Sequence, residues 1–174
     1  MLRLDLDHVP GIYPISVPLY IDRRAAADRS SPKVSELARE IVTADSNAIV
    51  ISNGVEDQVE RVITFQKAKG QNDLKTKNIY VILTNLAPEQ YARLNVVGQW
   101  LNIPDIIPMY YEDQINQAVG RNRGFRANGA TQTAIIASHR LYSNVLCQIG
   151  ALRGATRVQM FKVMQRLWGA RPPT

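Results

Sequence analysis

A chain of 174 residues with 45% apolar and 21% charged side chains has the make-up of one soluble globular domain, long enough to bury a core. No apolar run approaches the ~20 residues of a membrane span, and the single cysteine, Cys147, excludes an internal disulfide and a cysteine-based metal site. The net charge of +6 is unevenly placed: residues 1–113 carry twelve Lys/Arg against fifteen Asp/Glu, whereas residues 114–174 carry eight Arg and one Lys with no acid.

In chain order, Asp5 and Asp7 interrupt any secretory-leader pattern, which with the lone cysteine places the expected compartment in the cytoplasm. Ile15 to Ile21 is a short strand, in which Pro18 marks an edge position or a delayed start. Ser31-Pro32 opens a helix, with a hydroxyl at the N-cap and Pro in the first turn. Val34, Leu37, Ala38 and Ile41 follow at helical spacing. Asn47 to Ser52 reads as a buried strand stopped by Asn53-Gly54. A helix is expected from about Glu56 to Lys69. Asn78 to Thr84 is the strongest strand signal, continuous and β-branched. Pro88 starts a helix in which Tyr91, Leu94 and Val97 repeat.

Ile106 to Tyr111 reads as a further strand, weakened at Pro108. Glu112 and Asp113 then start a helix that leads into Gly120, where acids suit the positive end of the helix dipole. Gly124 to Thr131 is a loop, and Gln132 to Ser138 is the last expected strand. Beyond it the chain reads as two helices broken near Gly154, the second carrying Val158, Phe161, Met164 and Leu167-Trp168. The organisation is thus an α/β domain over 1–138, a basic helical extension over 139–168 and a tail over 169–174. Apolar strands separated by helices imply three layers around a mainly parallel sheet of five or six strands. Ligands of such sheets sit at the carboxyl ends of the strands. Asp22, Asn53-Gly54, Thr84-Asn85 and Tyr110-Tyr111 fall there.

The densest functional signal is Gln117-Ala118-Val119-Gly120-Arg121-Asn122-Arg123-Gly124-Phe125-Arg126. Arginine grips phosphate through two parallel hydrogen bonds. A solvated basic turn is the plain alternative. The basic half of the chain likewise suits either a nucleic acid backbone or the acidic face of another domain. Tyr110, Tyr111 and Phe125 bracket the arginines and are candidates for base stacking or for the core.

The Gln-x-x-Gly-Arg order at Gln117, Gly120 and Arg121 resembles motif VI of the superfamily-two helicases and translocases. There the run closes the second of two RecA-like domains, and its arginines reach the γ-phosphate of ATP held by the first. The family's second arginine falls at Gly124 here, between Arg123 and Arg126. Leu101-Asn102-Ile103-Pro104-Asp105-Ile106 resembles the later half of motif V, and Val81-Ile82-Leu83-Thr84 the earlier half, with Trp100 in place of the usual Gly. Lys69-Gly70-Gln71-Asn72-Asp73-Leu74 is a rival placement. The resemblance spans roughly residues 45 to 140. It implies a RecA-like fold, with Gln117, Arg121, Arg123 and Arg126 as the catalytic set and Gly120 with Arg121 against the nucleotide. Thr84, Asn85, Asn102 and Arg140 would meet nucleic acid, DNA or RNA.

The cofactor so implied is ATP with magnesium, shared with a phosphate-loop RecA-like domain in cis or in trans. The chain has no Gly-x-x-x-x-Gly-Lys-Ser/Thr loop of its own, so it is not expected to hydrolyse ATP alone. Asp5-Leu6-Asp7-His8 resembles only superficially the metal box of the helicases. A magnesium-dependent phosphotransfer reading would need Asp5, Asp7 and Asp22 to converge. A non-catalytic nucleic-acid-binding or scaffold module on the same fold is the main alternative, since fold does not fix function.

Overall fold

The structure, a computed structural model, describes residues 19–27, 31–55, 57–69, 71, 73–119, 133–149 and 157–159. Six strands lie in one sheet among these residues: β1 (Leu19–Ile21), β2 (Ala48–Ile51), β3 (Val62–Ile63), β4 (Asn78–Ile82), β5 (Thr133–Ala137) and β6 (Arg157–Gln159). Their order is β3-β2-β4-β5-β1-β6, and every pairing is parallel.

The strand sequences explain the layers. In β2, β4 and β5 successive side chains point to opposite faces, yet both faces are apolar, as a sheet covered on both sides requires. Ala48, Val50, Tyr80, Ile82, Ala134 and Ile136 form one core with helix α1 (Pro32–Ala44). Ile51, Ile79, Val81, Ile135 and Ala137 form the other. They pack there with α2 (Phe65–Ala68), α4 (Ile106–Val119) and α5 (His139–Asn144). The remaining helix, α3 (Pro88–Trp100), lies outboard against α4. This is the three-layer α/β arrangement expected for such a sequence.

Local rules set most element starts. The Ser31 hydroxyl accepts from the Lys33 N–H at 3.3 Å, and Pro32 opens α1. Val34, Leu37, Ala38 and Ile41 are fully buried, as the helical spacing requires. Strand β1 begins immediately after Pro18. It is not an edge strand, because β5 and β6 flank it.

Four expectations are corrected. Ile106 to Tyr111 is the first part of α4 rather than a strand. Ile107, Tyr111, Ile115 and Ala118 recur on one buried face, and Pro108 sits in the first turn, where its missing N–H interrupts no bond. Glu112 and Asp113 are therefore mid-helix. The motif V-like run does not lead into a strand.

The segment from Glu56 to Lys69 is not one helix. Turns, β3 and the short α2 replace it. Arg61 adopts φ 60 and turns its guanidinium onto the carbonyls of Val42, Asp45 (3.1 Å) and Ser46 (2.7 Å), at the end of α1. A helix through Arg61 could not make that clasp.

Arg157–Gln159 is strand β6, where the second C-terminal helix was expected, so β5 is not the last strand. Finally, the repeat on α3 is only partly covered, since Leu94 packs against the core while its neighbours in the repeat stay exposed. Tyr91 is 51% exposed, Trp100 86% and Leu101 63%.

Candidate functional site

The carboxyl ends of the strands carry several of the polar side chains that sequence reasoning singled out, Asp22, Thr84, Asn85 and Arg140. Asp22, after β1, caps a 3-10 turn (Arg23–Ala26), with its carboxylate accepting from the Arg24 N–H at 2.9 Å. The Arg24 guanidinium binds the same carboxylate at 2.8 and 3.1 Å and reaches Glu40 on α1 at 2.8 Å. Asp22 is thus occupied in a structural clasp. Among the described residues no cluster of three or more His, Cys, Asp or Glu could hold a metal ion. Asp5 and Asp7 lie outside the described residues.

After β4 the chain turns through Leu83 to Ala87 into α3. Two hydrogen bonds fix that loop. The Tyr111 hydroxyl donates to the Thr84 carbonyl at 2.8 Å, and the Asn85 side chain donates to the Ala26 carbonyl at 3.0 Å. Burial, the neighbouring Tyr110 and, in opposition, the Leu86 N–H act on the Tyr111 phenol. The net effect raises its ionisation well above the usual tyrosine range. Tyr110 stands edge-on to it with ring centres 5.5 Å apart. Its hydroxyl accepts from Gln90 on α3 at 3.0 Å and from Gln114 on α4 at 2.7 Å. Both tyrosines therefore knit α3, α4 and the loop together.

After β5, the Ser138 hydroxyl accepts from the Leu141 N–H at 3.1 Å and caps α5. The helix begins at His139, which is exposed beside Ser143. Arg140, in its first turn, is exposed and makes no ion pair among the described residues.

These elements enclose a recess of about 330 Å³. Its floor is apolar, made by Leu86, Ile107, Tyr111, Leu141 and Val145. Its rim is Asn85, Tyr91, Arg140 and Asn144, and among the described residues no carboxylate lines it. A smaller polar pocket of about 30 Å³, room for a water, adjoins it under the loop, lined in part by Asn53, Thr84 and Gln114. The two share Asn85, Leu86 and Tyr111.

Comparison of the chain with protein families, curated proteins and solved structures finds no match. The site has to be read from its own residues.

Asn85 and Arg140, distant in sequence, both line the larger recess, whereas Thr84 lines only the smaller pocket beside it. Asn102 does not join them. It follows the end of α3 with φ 55, the left-handed conformation that asparagine tolerates after a helix. It stands at the turn into α4. Gln117 lines neither recess, and its amide donates to Asp113 on the preceding turn at 2.8 Å. Gly120, Arg121, Arg123, Phe125 and Arg126 lie outside the described residues. Sequence reasoning missed Tyr91 and Asn144 as rim residues. A tyrosine in an apolar repeat carries no local sign that its helix lies outboard. Among the described residues no helix is long and apolar enough to cross a membrane.

Proposed function

We propose that this chain is the second, nucleic-acid-gripping domain of an ATP-dependent helicase or translocase of the superfamily-two type. The observation that carries the reading is that Asn85 and Arg140 line one recess past the carboxyl ends of β4 and β5, with Thr84 in the adjoining pocket, on the edge where ligands of all-parallel sheets bind. The acid-free, arginine-rich second half of the chain supports it. So does the guanidinium of Arg140 at the rim of the recess.

In this reading Thr84, Asn85 and Arg140 hold the strand. Arg121, with Arg123 or Arg126, meets the γ-phosphate, and Gly120 lets the backbone come close. Among the described residues nothing cradles a triphosphate. ATP and magnesium therefore belong to a phosphate-loop domain supplied in cis or in trans, and no step is assigned to them on this chain. A non-catalytic nucleic-acid-binding module is the second reading. The bond from Gln117 to Asp113 favours it, because the motif glutamine is turned to its own helix.

An ATPase assay of the chain alone, then with a phosphate-loop domain and nucleic acid, separates the two. The helicase reading expects no turnover alone and stimulated turnover in the complex. Arg121→Ala should lower that turnover about 10³- to 10⁵-fold with nucleotide affinity retained, and Lys should rescue poorly. No stimulation by any such domain leaves the binding module.

A further inference from the structure

The 330 Å³ recess joins an apolar floor to a rim of two amides, an aromatic ring and a guanidinium. Ligand pockets start at about this size and combine an apolar lining with a few placed polar groups. Tyr91, on the first turns of α3, is 51% exposed and presents an aromatic ring at the rim. Arg140 presents a guanidinium with no acid partner among the described residues. Asn85 uses its amide nitrogen on Ala26 and keeps its carbonyl oxygen toward other donors, and Asn144 adds a second amide at the rim. An aromatic surface, amides for ring edges and one cation beside them match a base with its phosphate. A paired base cannot reach such a recess without leaving its stack.

We propose that this recess takes one unpaired nucleotide of a single strand, its base stacked on Tyr91 and its phosphate held by Arg140. The proposal rests on the nucleic-acid reading above and narrows it: the partner is single-stranded, and α3 supplies the platform.

The test is fluorescence anisotropy of a labelled oligothymidylate and of a duplex of equal length, titrated with the full chain over a range of salt. The wild type should prefer the single strand. Tyr91→Ala should weaken single-strand binding about 5- to 150-fold, the range of one stacked base, and should abolish the preference. Tyr91→Leu keeps apolar volume and helix propensity and should fail likewise, whereas Tyr91→Phe should bind like the wild type. Arg140→Ala should lower the slope of log affinity against log salt by about 0.7, one phosphate contact on a single strand, and Arg140→Lys should restore it.

Wild-type affinity in Tyr91→Leu and an unchanged slope in Arg140→Ala would refute the pocket and leave the nucleic-acid reading standing. A wild-type chain that binds neither oligonucleotide at low salt would refute both. Tyr91-dependent binding of a labelled oligoglutamate in place of DNA would overturn the proposal in favour of an acidic protein partner.

Discussion

Replacing Gly98 by alanine should loosen the corner that aims α3 at the recess. Gly98 is buried near the end of α3, where the chain turns into α4. An added Cβ would stand 2.8 Å from Ile106 Cγ2 and 2.9 Å from the Ile103 carbonyl oxygen. Ordinary carbon contacts lie at about 3.5–4.0 Å. The Ile103 oxygen belongs to backbone that cannot rotate away, since the Ile103 N–H is bonded to the Gly98 carbonyl at 2.7 Å. Overpacking of this kind costs about 1–3 kcal/mol. Alanine returns up to about 1 kcal/mol of helix propensity, less so close late in a helix. The net expectation is a loss of about 0.5–2 kcal/mol, read as a lower urea midpoint with an unchanged denaturant slope. Gln99→Ala, on the exposed neighbour, should stay within about 0.5 kcal/mol of the wild type. A Gly98→Ala chain as stable as the wild type would show that the two helices part easily. The placing of Tyr91 over Ile107 and Tyr111 would then lose its support.

Tyr111→Phe should cost about 1 kcal/mol by leaving the Thr84 carbonyl without its donor. It should also change the alkaline limb of stability. The folded state holds the Tyr111 proton more tightly than the unfolded chain does. That contribution is complete below about pH 10, the unfolded tyrosine value, and is lost as pH rises beyond it. Urea melts across pH 8 to 11 (roughly two units about that value) should thus decline more steeply for the wild type than for the phenylalanine variant, and parallel declines would contradict the assignment. Arg61→Ala should lower stability by about 1.5–3 kcal/mol, the range for charged hydrogen bonds, because the carbonyls of Val42, Asp45 and Ser46 lose their clasp. A thermal melt checks it, and a neutral result would mean that water serves those carbonyls as well.

The central strands were legible because both their faces are buried. Ala48–Ile51, Asn78–Ile82 and Thr133–Ala137 are apolar at nearly every position, a pattern that a half-exposed strand or a surface helix does not produce. Ile106 to Tyr111 was misread for a related reason. A short apolar run is the same string in a buried helix as in a buried strand, and only its continuation through Ile115 and Ala118 decides. Arg61 was beyond local reading altogether, since its conformation is set by the end of a helix earlier in the chain. Beside the recess, the position of Thr84 and Asn85 just past a strong strand was legible, because β4 is apolar up to Ile82. Asn102 was equally conspicuous, but it stands apart from both pockets at the turn after α3. Tyr91 was hidden: its exposure depends on α3 riding on α4 rather than on the sheet.

The position of β1 has a consequence for how the chain is made. Leu19 pairs with Ile135 on one side and Arg157 on the other. The earliest made of the described strands therefore has no described sheet neighbour until the others have largely followed. At synthesis rates of about 5–20 residues per second, roughly 6 to 23 s separate Leu19 from Ile135. During that interval β2, β3 and β4 can assemble beneath α1, while Leu19–Ile21 waits as an unpaired apolar segment. A nascent chain arrested before Thr133 would hold that segment open to chaperones and to other copies of itself. Closure of the sheet is a late event, and β1, made before the other described strands, is among the last of them to be secured.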